Sequence, residues 1–324
     1  MKKIFVHCKI DPIQEKFLNK DFSISIHDAN ESVLSPTELL EKANAYDGIL
    51  CQGNLVNSSY IEANKGILKV ISNVAVGYDN IDIESANKNN VAVFNTPNIL
   101  NNTVAEFTLG LIISIARKIC EGNNYVKAGK WKKNSWPLFL GDDLYNENLG
   151  IIGMGSIGKK VALMAKAFGM KIFYHNRNRL LEEEEKKYDA RYIELEEILK
   201  TSKYLVLLLP LNTNTKHLIN KNTFSLMRKD SYIINVARGQ IIKEDDLVEA
   251  LEKKIITGAG LDVFEFEPKI NEKLLKLNNV VLMPHAGSAS LNTRNKMVNL
   301  ACQNIYNFFK YKKTENLINK EVFK

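Results

Sequence analysis

The segment that most restricts the fold is "LGIIGMGSIGKKVALMAKAFGM", residues 149–170. An apolar run leads into Gly153, Gly155 and Gly158 in GxGxxG spacing, and an amphipathic helical pattern follows. The spacing alone is common. Between a strand and a helix it specifies the first turn of a dinucleotide-binding βαβ unit. Gly153 permits the tight turn, Gly155 lets backbone approach a pyrophosphate, and Gly158 lets helix and strand pack closely. Met154, Ser156 and Ile157 complete the turn, whose helix N-terminus offers N–H groups and a positive dipole end to phosphate.

A second feature lies where the next strand should end. Asn176 stands 18 residues after Gly158, in "KIFYHNRNR", and is followed by Arg177 and Arg179. NAD-binding chains place a carboxylate there for the ribose hydroxyls, and a carboxylate would repel a 2′-phosphate. Asn176 removes that repulsion, and two arginines supply permanently charged planar donors. NADP(H) is therefore the expected preferred cofactor, with NAD(H) as the alternative.

The rest of the chain alternates strand and helix patterns, which implies parallel sheets covered on both faces. "KIFVHC", "FSISIHD", "DGILCQG", "LKVISNVA" and "VAVFNT" read as strands of a first region. "SPTELLEKANAY" reads as a helix capped by Ser35, with Pro36 at its first position and Glu38 closing a capping box. "NNTVAEFTLGLIISIARKICEG" (101–122) reads as one long helix, apolar nearly all round and hence buried. A connecting loop follows it, in which Trp131 and Trp136 are expected at an interface or in the core. The second series has strands at "KIFYHN", "YLVLLLP", "YIINVAR", "GAGLDV" and "VVLMP". "EEEEKK" (182–187) reads as a solvated helix face. The final helical pattern, "SLNTRNKMVNLACQNIYNFFKY", is expected to return to the first region. These patterns divide the chain into 1–100, 101–290 and 291–324.

Composition excludes several classes. Hydrophobic residues make up 45% and charged ones 25%, a globular balance, and no apolar run reaches a membrane span. The start "MKKIFVHCKI" is interrupted by His7, Lys9 and Asp11 and reads as a strand rather than an export signal. The net charge of +7 is scattered, and no nucleic-acid motif accompanies it. Cys8, Cys51, Cys120 and Cys302 form no CxxC pair, so they read as small hydrophobes in a reducing, cytoplasmic setting. His7, His27, His175 and His217 have no metal-ligand spacing, and no metal is expected. His175 reads as a filler beside the nucleotide turn.

Three segments end apolar strands with polar residues: "NVARGQIIKEDDL", "GLDVFEFEP" and "MPHAGSAS". Open α/β sheets place ligands at such strand ends. Arg238, Glu267 and His285 are the chemical candidates. Adding hydride to a 2-keto acid requires a proton on the carbonyl oxygen, which a histidine delivers. A neighbouring carboxylate favours the imidazolium and fixes the ring, and an arginine binds the substrate carboxylate and polarises the keto oxygen.

The segments "GYDNID", "FNTPN", "LGIIGMGSIG", "LLLPLNTNTKHLI", "INVARG", "AGLDVFEFEP" and "MPHAGSAS", in this order over nearly the whole length, resemble the D-isomer-specific 2-hydroxyacid dehydrogenases. "YHNRNRL" and "GKWKKNSWPLFLG" resemble the glyoxylate and hydroxypyruvate reductases among them, including 2-ketogluconate reductases. The resemblance implies a Rossmann-type doubly wound domain inserted in a flavodoxin-like α/β substrate domain, the latter built from residues 1–100 and 291–324. It implies that Arg238 binds substrate, Glu267 orients His285, and His285 is the acid/base. It also assigns the substrate carboxylate to backbone near Val76 and Gly77. Thr103, Pro210, Ala237, Asp262 and Gly287 match positions lining the nicotinamide half of the cofactor site. A homodimer through the nucleotide domain is implied as well. The alternatives are a dinucleotide-sensing corepressor on the same scaffold and a D-lactate or phosphoglycerate type of dehydrogenase.

Overall fold

The structure, a computed structural model, describes residues 1–27 and 33–323. Chain contacts divide it into two compact units, Met1–Leu100 with Ser290–Lys324, and Asn101–Ala289.

In the first unit β1 (Lys2–His7), α1 (Pro12–Asn19), β2 (Phe22–Ile26), α2 (Pro36–Lys42), β3 (Gly48–Cys51), α3 (Ser58–Ala63), β4 (Val70–Asn73), α4 (Ile83–Lys88) and β5 (Ala92–Phe94) alternate along the chain. The strands form one sheet in the order β2-β1-β3-β4-β5, and every pairing is parallel. The helix starts follow from local chemistry. Ser35 and Glu38 exchange side-chain and backbone bonds in a capping box with Pro36 behind the cap, and Asp11, Gln14 and Pro12 repeat the device at α1. The expected strand at 22–28 ends at Ile26, and Asp28 lies outside the described residues.

The second unit opens with α5 (Asn101–Ala116) and α6 (Ile119–Lys127), followed by β6 (Asn148–Ile152), α7 (Ser156–Lys166), β7 (Lys171–His175), α8 (Glu182–Tyr188), β8 (Ala190–Tyr192) and α9 (Leu195–Thr201). It continues through β9 (Tyr204–Leu207), α10 (Lys221–Leu226), β10 (Tyr232–Asn235), α11 (Glu244–Glu252), β11 (Gly258–Leu261) and β12 (Val280–Leu282). The sheet order is β12-β11-β10-β9-β6-β7-β8, all parallel. Strand order reverses between β6 and β9, which is the Rossmann arrangement and its ligand-binding switch point. Helices α5 and α7 cover one face around Leu109, Ile112, Val161 and Ile151; α9, α10 and α11 cover the other around Ile198, Phe224, Leu247 and Ile233. The last helix, α12 (Leu291–Tyr311), belongs to the first unit, where its Ala301 carbonyl accepts a bond from the Ser72 hydroxyl.

Three expectations need correction. The helix expected over 101–122 breaks after Ala116, and Lys118 takes a left-handed φ of 53° before α6 starts. The cause is remote: the Ala116 carbonyl accepts from Asp142 N–H at 2.9 Å, and Gly141 sits so close that a Cβ there would stand 2.2 Å from that carbonyl oxygen. Helix α6 has no buried residue, and α5 is not buried all round either, because Asn102, Glu106 and Gly110 leave an exposed stripe along it. Trp131 and Trp136 are 55% and 94% exposed, which removes them from the core. The glutamate run is not wholly solvated, because Glu185 is buried.

Cys8, Cys51 and Cys302 are buried free thiols, and burial pushes Cys51 and Cys302 up to about 12, so they are inert at working pH. Cys120 is exposed. Among the described residues no helix is long and apolar enough to cross a membrane, and no His, Cys, Asp and Glu cluster is able to hold a metal.

Candidate active site

The glycine turn joins β6 to α7. Gly153 has a φ of 104°, and a Cβ there would meet the Leu208 backbone at 2.6 Å, so this position demands glycine twice over. A Cβ on Gly158 would stand 2.5 Å from the Gly153 carbonyl oxygen. Gly155 differs: nothing lies within 4 Å of its missing Cβ, and it is the N-cap of α7 with no side chain capping the helix. The open side of the turn therefore presents uncapped N–H groups of Ser156, Ile157 and Gly158, which fits a pyrophosphate. Asn176 holds the turn from below, its Oδ1 accepting from Met154 N–H at 2.7 Å, while Met154 itself is buried.

Beyond Asn176, Arg177 is exposed. Arg179 is engaged: its Nε and Nη2 both donate to the Glu185 carboxylate at 2.8 Å. His175 lies against Tyr192, 5.7 Å between ring centroids, with Nδ1 3.1 Å from the Ile193 carbonyl oxygen, so it braces β7 against the chain beyond β8.

The chemical candidates sit past the carboxyl ends of β10, β11 and β12. Asn235 is fully buried at the end of β10; its Oδ1 accepts from Ala237 N–H and its Nδ2 donates to the Arg238 carbonyl. That double bond folds the turn presenting Arg238, whose Nη1 donates to the Ala237 carbonyl at 2.7 Å. Gly239 follows because a Cβ there would lie 1.9 Å from the Phe264 backbone, in the loop after β11. The Arg238 and Glu267 loops thus touch through their backbones.

Glu267 accepts from Phe264 N–H at 2.9 Å through Oε1 and meets His285 Nδ1 at 2.8 Å through Oε2. Burial works against its ionised form, but the His285 hydrogen bond and charge, the Phe264 N–H and the charge of Arg238 together hold its carboxyl below the usual range. His285 has a left-handed φ of 52°, an unusual state for a residue with a side chain. Asp262 over-determines that state. Its carbonyl accepts from His285 N–H at 2.8 Å, and its two carboxylate oxygens accept from Ala286 and Gly287 N–H at 2.6 and 2.8 Å. Three successive amides are held by one buried residue. Burial pushes the Asp262 carboxyl upward against those bonds.

Of the other expected residues, Pro210 and Ala237 follow β9 and β10, and Thr103 lies in the first turn of α5. A Cβ on Gly287 would lie 3.8 Å from Val104, which brings the start of α5 beside the His285 loop. Val76 and Gly77 belong to the first unit, where their carbonyls accept from Asn95 and Asn73 side chains.

Sequence reading missed the brace under this site. Glu244 and Glu265 each accept the other's backbone N–H, at 2.9 and 3.0 Å, Glu244 also accepts from Asn271 N–H, and Glu265 Oε1 meets His217 Nε2 at 2.6 Å. The loop carrying Glu267 is pinned on both sides. A charged "KEDDL" helix start looks solvated from sequence, and only the tertiary contact reveals Glu244 as buried.

The region 109–287 matches the model of the D-isomer specific 2-hydroxyacid dehydrogenase NAD-binding domain. The chain belongs to this family. A glyoxylate reductase of Pyrococcus horikoshii is 39% identical over 326 residues, covering 99% of this chain and 97% of that one. The structure of an NADPH-dependent glyoxylate/hydroxypyruvate reductase from Sinorhizobium meliloti in complex with NADP and malonate is 30% identical, with a TM-score of 0.85 over 99% of this chain and 97% of that one. A D-lactate dehydrogenase from Aquifex aeolicus, complexed with NAD and lactic acid, is 25% identical with a TM-score of 0.84 over 97% and 99% of the two chains. As in other D-2-hydroxyacid dehydrogenases, the parallel sheets and flanking helices form a Rossmann-type α/β fold, and the cofactor class is a nicotinamide dinucleotide.

Proposed function

We propose that this dehydrogenase reduces a small 2-keto acid, such as glyoxylate or hydroxypyruvate, to the D-2-hydroxy acid. The observation that carries the reading is the Glu267–His285 contact at 2.8 Å, which joins the His285 loop pinned by Asp262 to the Glu267 loop, itself packed through Phe264 on Gly239 beside Arg238. The reduced nicotinamide supplies hydride to the carbonyl carbon. His285, with Nδ1 held by Glu267, delivers a proton to the carbonyl oxygen from Nε2 and takes it back in the reverse direction. The Glu267 carboxylate holds Nδ1 and keeps the ring from rotating. Arg238 binds the substrate carboxylate and draws electron density from the keto oxygen. Backbone at Val76 and Gly77 is assigned to the same carboxylate. Thr103, Pro210, Ala237, Asp262 and Gly287 are the residues that would line the nicotinamide half of the cofactor site.

For the other end of the cofactor, NADPH is favoured over NADH. Asn176 carries no charge to repel a 2′-phosphate, and Arg177 offers a guanidinium at the end of β7. The working form is a cytoplasmic homodimer, for which the exposed Ile119, Val126, Trp131, Trp136 and Leu140 provide apolar surface on the second unit.

Steady-state assays with glyoxylate, hydroxypyruvate, pyruvate and 2-ketogluconate, each with both reduced cofactors, test this directly. The expected result is highest kcat/KM for a two- or three-carbon keto acid with NADPH. Dinucleotide binding without turnover on any of them would favour a sensor instead.

A further inference from the structure

Glu185 stands in a run of four glutamates, yet its side chain is only 11% exposed. Its Oε1 accepts from the Tyr174 hydroxyl at 2.6 Å and from Arg179 Nε, and its Oε2 accepts from Arg179 Nη2. Tyr174 is fully buried in β7, and its hydroxyl oxygen accepts from Leu180 N–H at 2.9 Å. The strand end, the turn after it and helix α8 are thereby tied into one network. Arg179 is held by one edge of its guanidinium, lies 5.8 Å from the Tyr192 ring centroid, and keeps 63% of its side chain exposed.

We propose that Glu185 is a specificity-determining residue of the cofactor site, which offsets the charge of Arg179 and so limits the discrimination between NADPH and NADH. The inference rests on the reading above that the end of β7 receives the adenosine ribose. A 2′-phosphate is recognised by charge as well as by hydrogen bonds. Arg179 still offers the N–H donors that Glu185 does not engage, for a guanidinium has five. Its Coulomb attraction, however, is opposed by a carboxylate at hydrogen-bond distance from the same group. Among the described residues no carboxylate engages Arg177 in that way, so the charge contact falls mainly to it. The offset is permanent at working pH, because Arg179 and Tyr174 hold the Glu185 carboxyl down at about 2. NADH has no phosphate at this position and is indifferent to the pair. A chain with Glu185 therefore discriminates less sharply than two free arginines would.

Glu185→Gln keeps the shape and the oxygen facing Tyr174 but removes the charge. Its KM for NADPH should fall about two- to fivefold, the size expected of one partly exposed charge interaction, while the KM for NADH moves far less. An independent pair guards against misfolding. Arg179→Ala leaves the Glu185 carboxylate unpaired and should raise the KM for NADPH, and adding Glu185→Gln to it should recover most of that loss, a coupling that a double-mutant cycle reads. Melting temperatures establish that each variant is folded. A rise in the NADPH KM of Glu185→Gln, an unchanged NADPH/NADH ratio, or no recovery in the double variant would overturn the inference. Arg177→Ala separates the two levels. If it lowers the ratio while the Glu185 variants do nothing, only the role of Glu185 fails. If it too leaves the ratio unchanged, the phosphate reading fails and takes this inference with it.

Discussion

Glu267 with His285 and Glu185 with Arg179 are two of the carboxylate–base pairs of the nucleotide-binding unit. In both, the carboxylate is the more buried partner and the cation stays largely exposed, at 34% against 52% and at 11% against 63%. The pairs differ in what the cation is able to do. An imidazole is a group able to give and take a proton, so the carboxylate beside it orients a proton carrier. A guanidinium is not, so the carboxylate beside it only subtracts attraction. The supports differ accordingly. His285 sits in a strained backbone state fixed by three amide bonds to Asp262, whereas Arg179 hangs from a turn whose Leu180 N–H donates to the Tyr174 hydroxyl. The backbone around His285 is held by several bonds at once, and that around Arg179 by fewer.

The largest effect separating the pairs should come from His285→Ala. Loss of a positioned proton donor is expected to lower kcat by roughly 10²–10⁴-fold. Because the side chain is half exposed, the melting temperature should barely move; comparable kcat in the variant would remove His285 from its role. Glu267→Gln acts only through the ring it orients and should cost less, about 10–100-fold in kcat, as for other residues that orient a reacting group. If Glu267→Gln behaved like Glu185→Gln, changing cofactor choice and sparing kcat, the contrast between the pairs would collapse.

A stability test probes the backbone support of the first pair. Gly239→Ala inserts a methyl where the Phe264 backbone stands 1.9 Å away. Overpacking of this kind costs about 1–3 kcal/mol, and here it should also lower kcat, because it separates the Arg238 and Glu267 loops. Chemical denaturation with parallel kinetics measures both.

The smallest effect concerns pH. The Glu185 carboxyl is lowered from its ordinary 4.5 to about 2 in the folded chain. A depressed folded value means the pair contributes stability above pH 4.5, and that this contribution is lost as pH falls towards about 2. Glu185→Gln should therefore show a flatter fall in melting temperature across that window than the parent chain. Parallel profiles would mean the pair adds nothing to stability.

Much of this site is legible in sequence because strand ends are. An apolar run buries itself, and the first polar residues after it must emerge at the sheet edge. "NVARGQIIKEDDL", "GLDVFEFEP" and "MPHAGSAS" therefore offer Arg238, Glu267 and His285 together, while Asp262 is pointed out only by the family resemblance. The glycine turn is legible for the same kind of reason, since each glycine answers a local steric demand. What sequence hides depends on distant partners. The break after Ala116 is caused by Gly141 and Asp142, some distance along the chain, and the helical pattern runs straight through it. Strand β8 is three residues long at the sheet edge, with only Ala190 buried, too little for an alternating pattern. Glu185 is indistinguishable from its three glutamate neighbours until Tyr174 and Arg179 meet it. The hold of Asp262 on three amides is hidden as well, because those amides come from a loop more than twenty residues away.

His285, oriented by Glu267, is expected to move the proton while hydride reaches a 2-keto acid. The most direct measurement is single-turnover oxidation of enzyme-bound NADPH on mixing with glyoxylate, for the parent chain and His285→Ala at equal cofactor occupancy. Reduced-nicotinamide absorbance should be lost rapidly in the parent and at least about 10²-fold more slowly in the variant, with NADPH still bound. Equal single-turnover rates in the two proteins would contradict that role of His285.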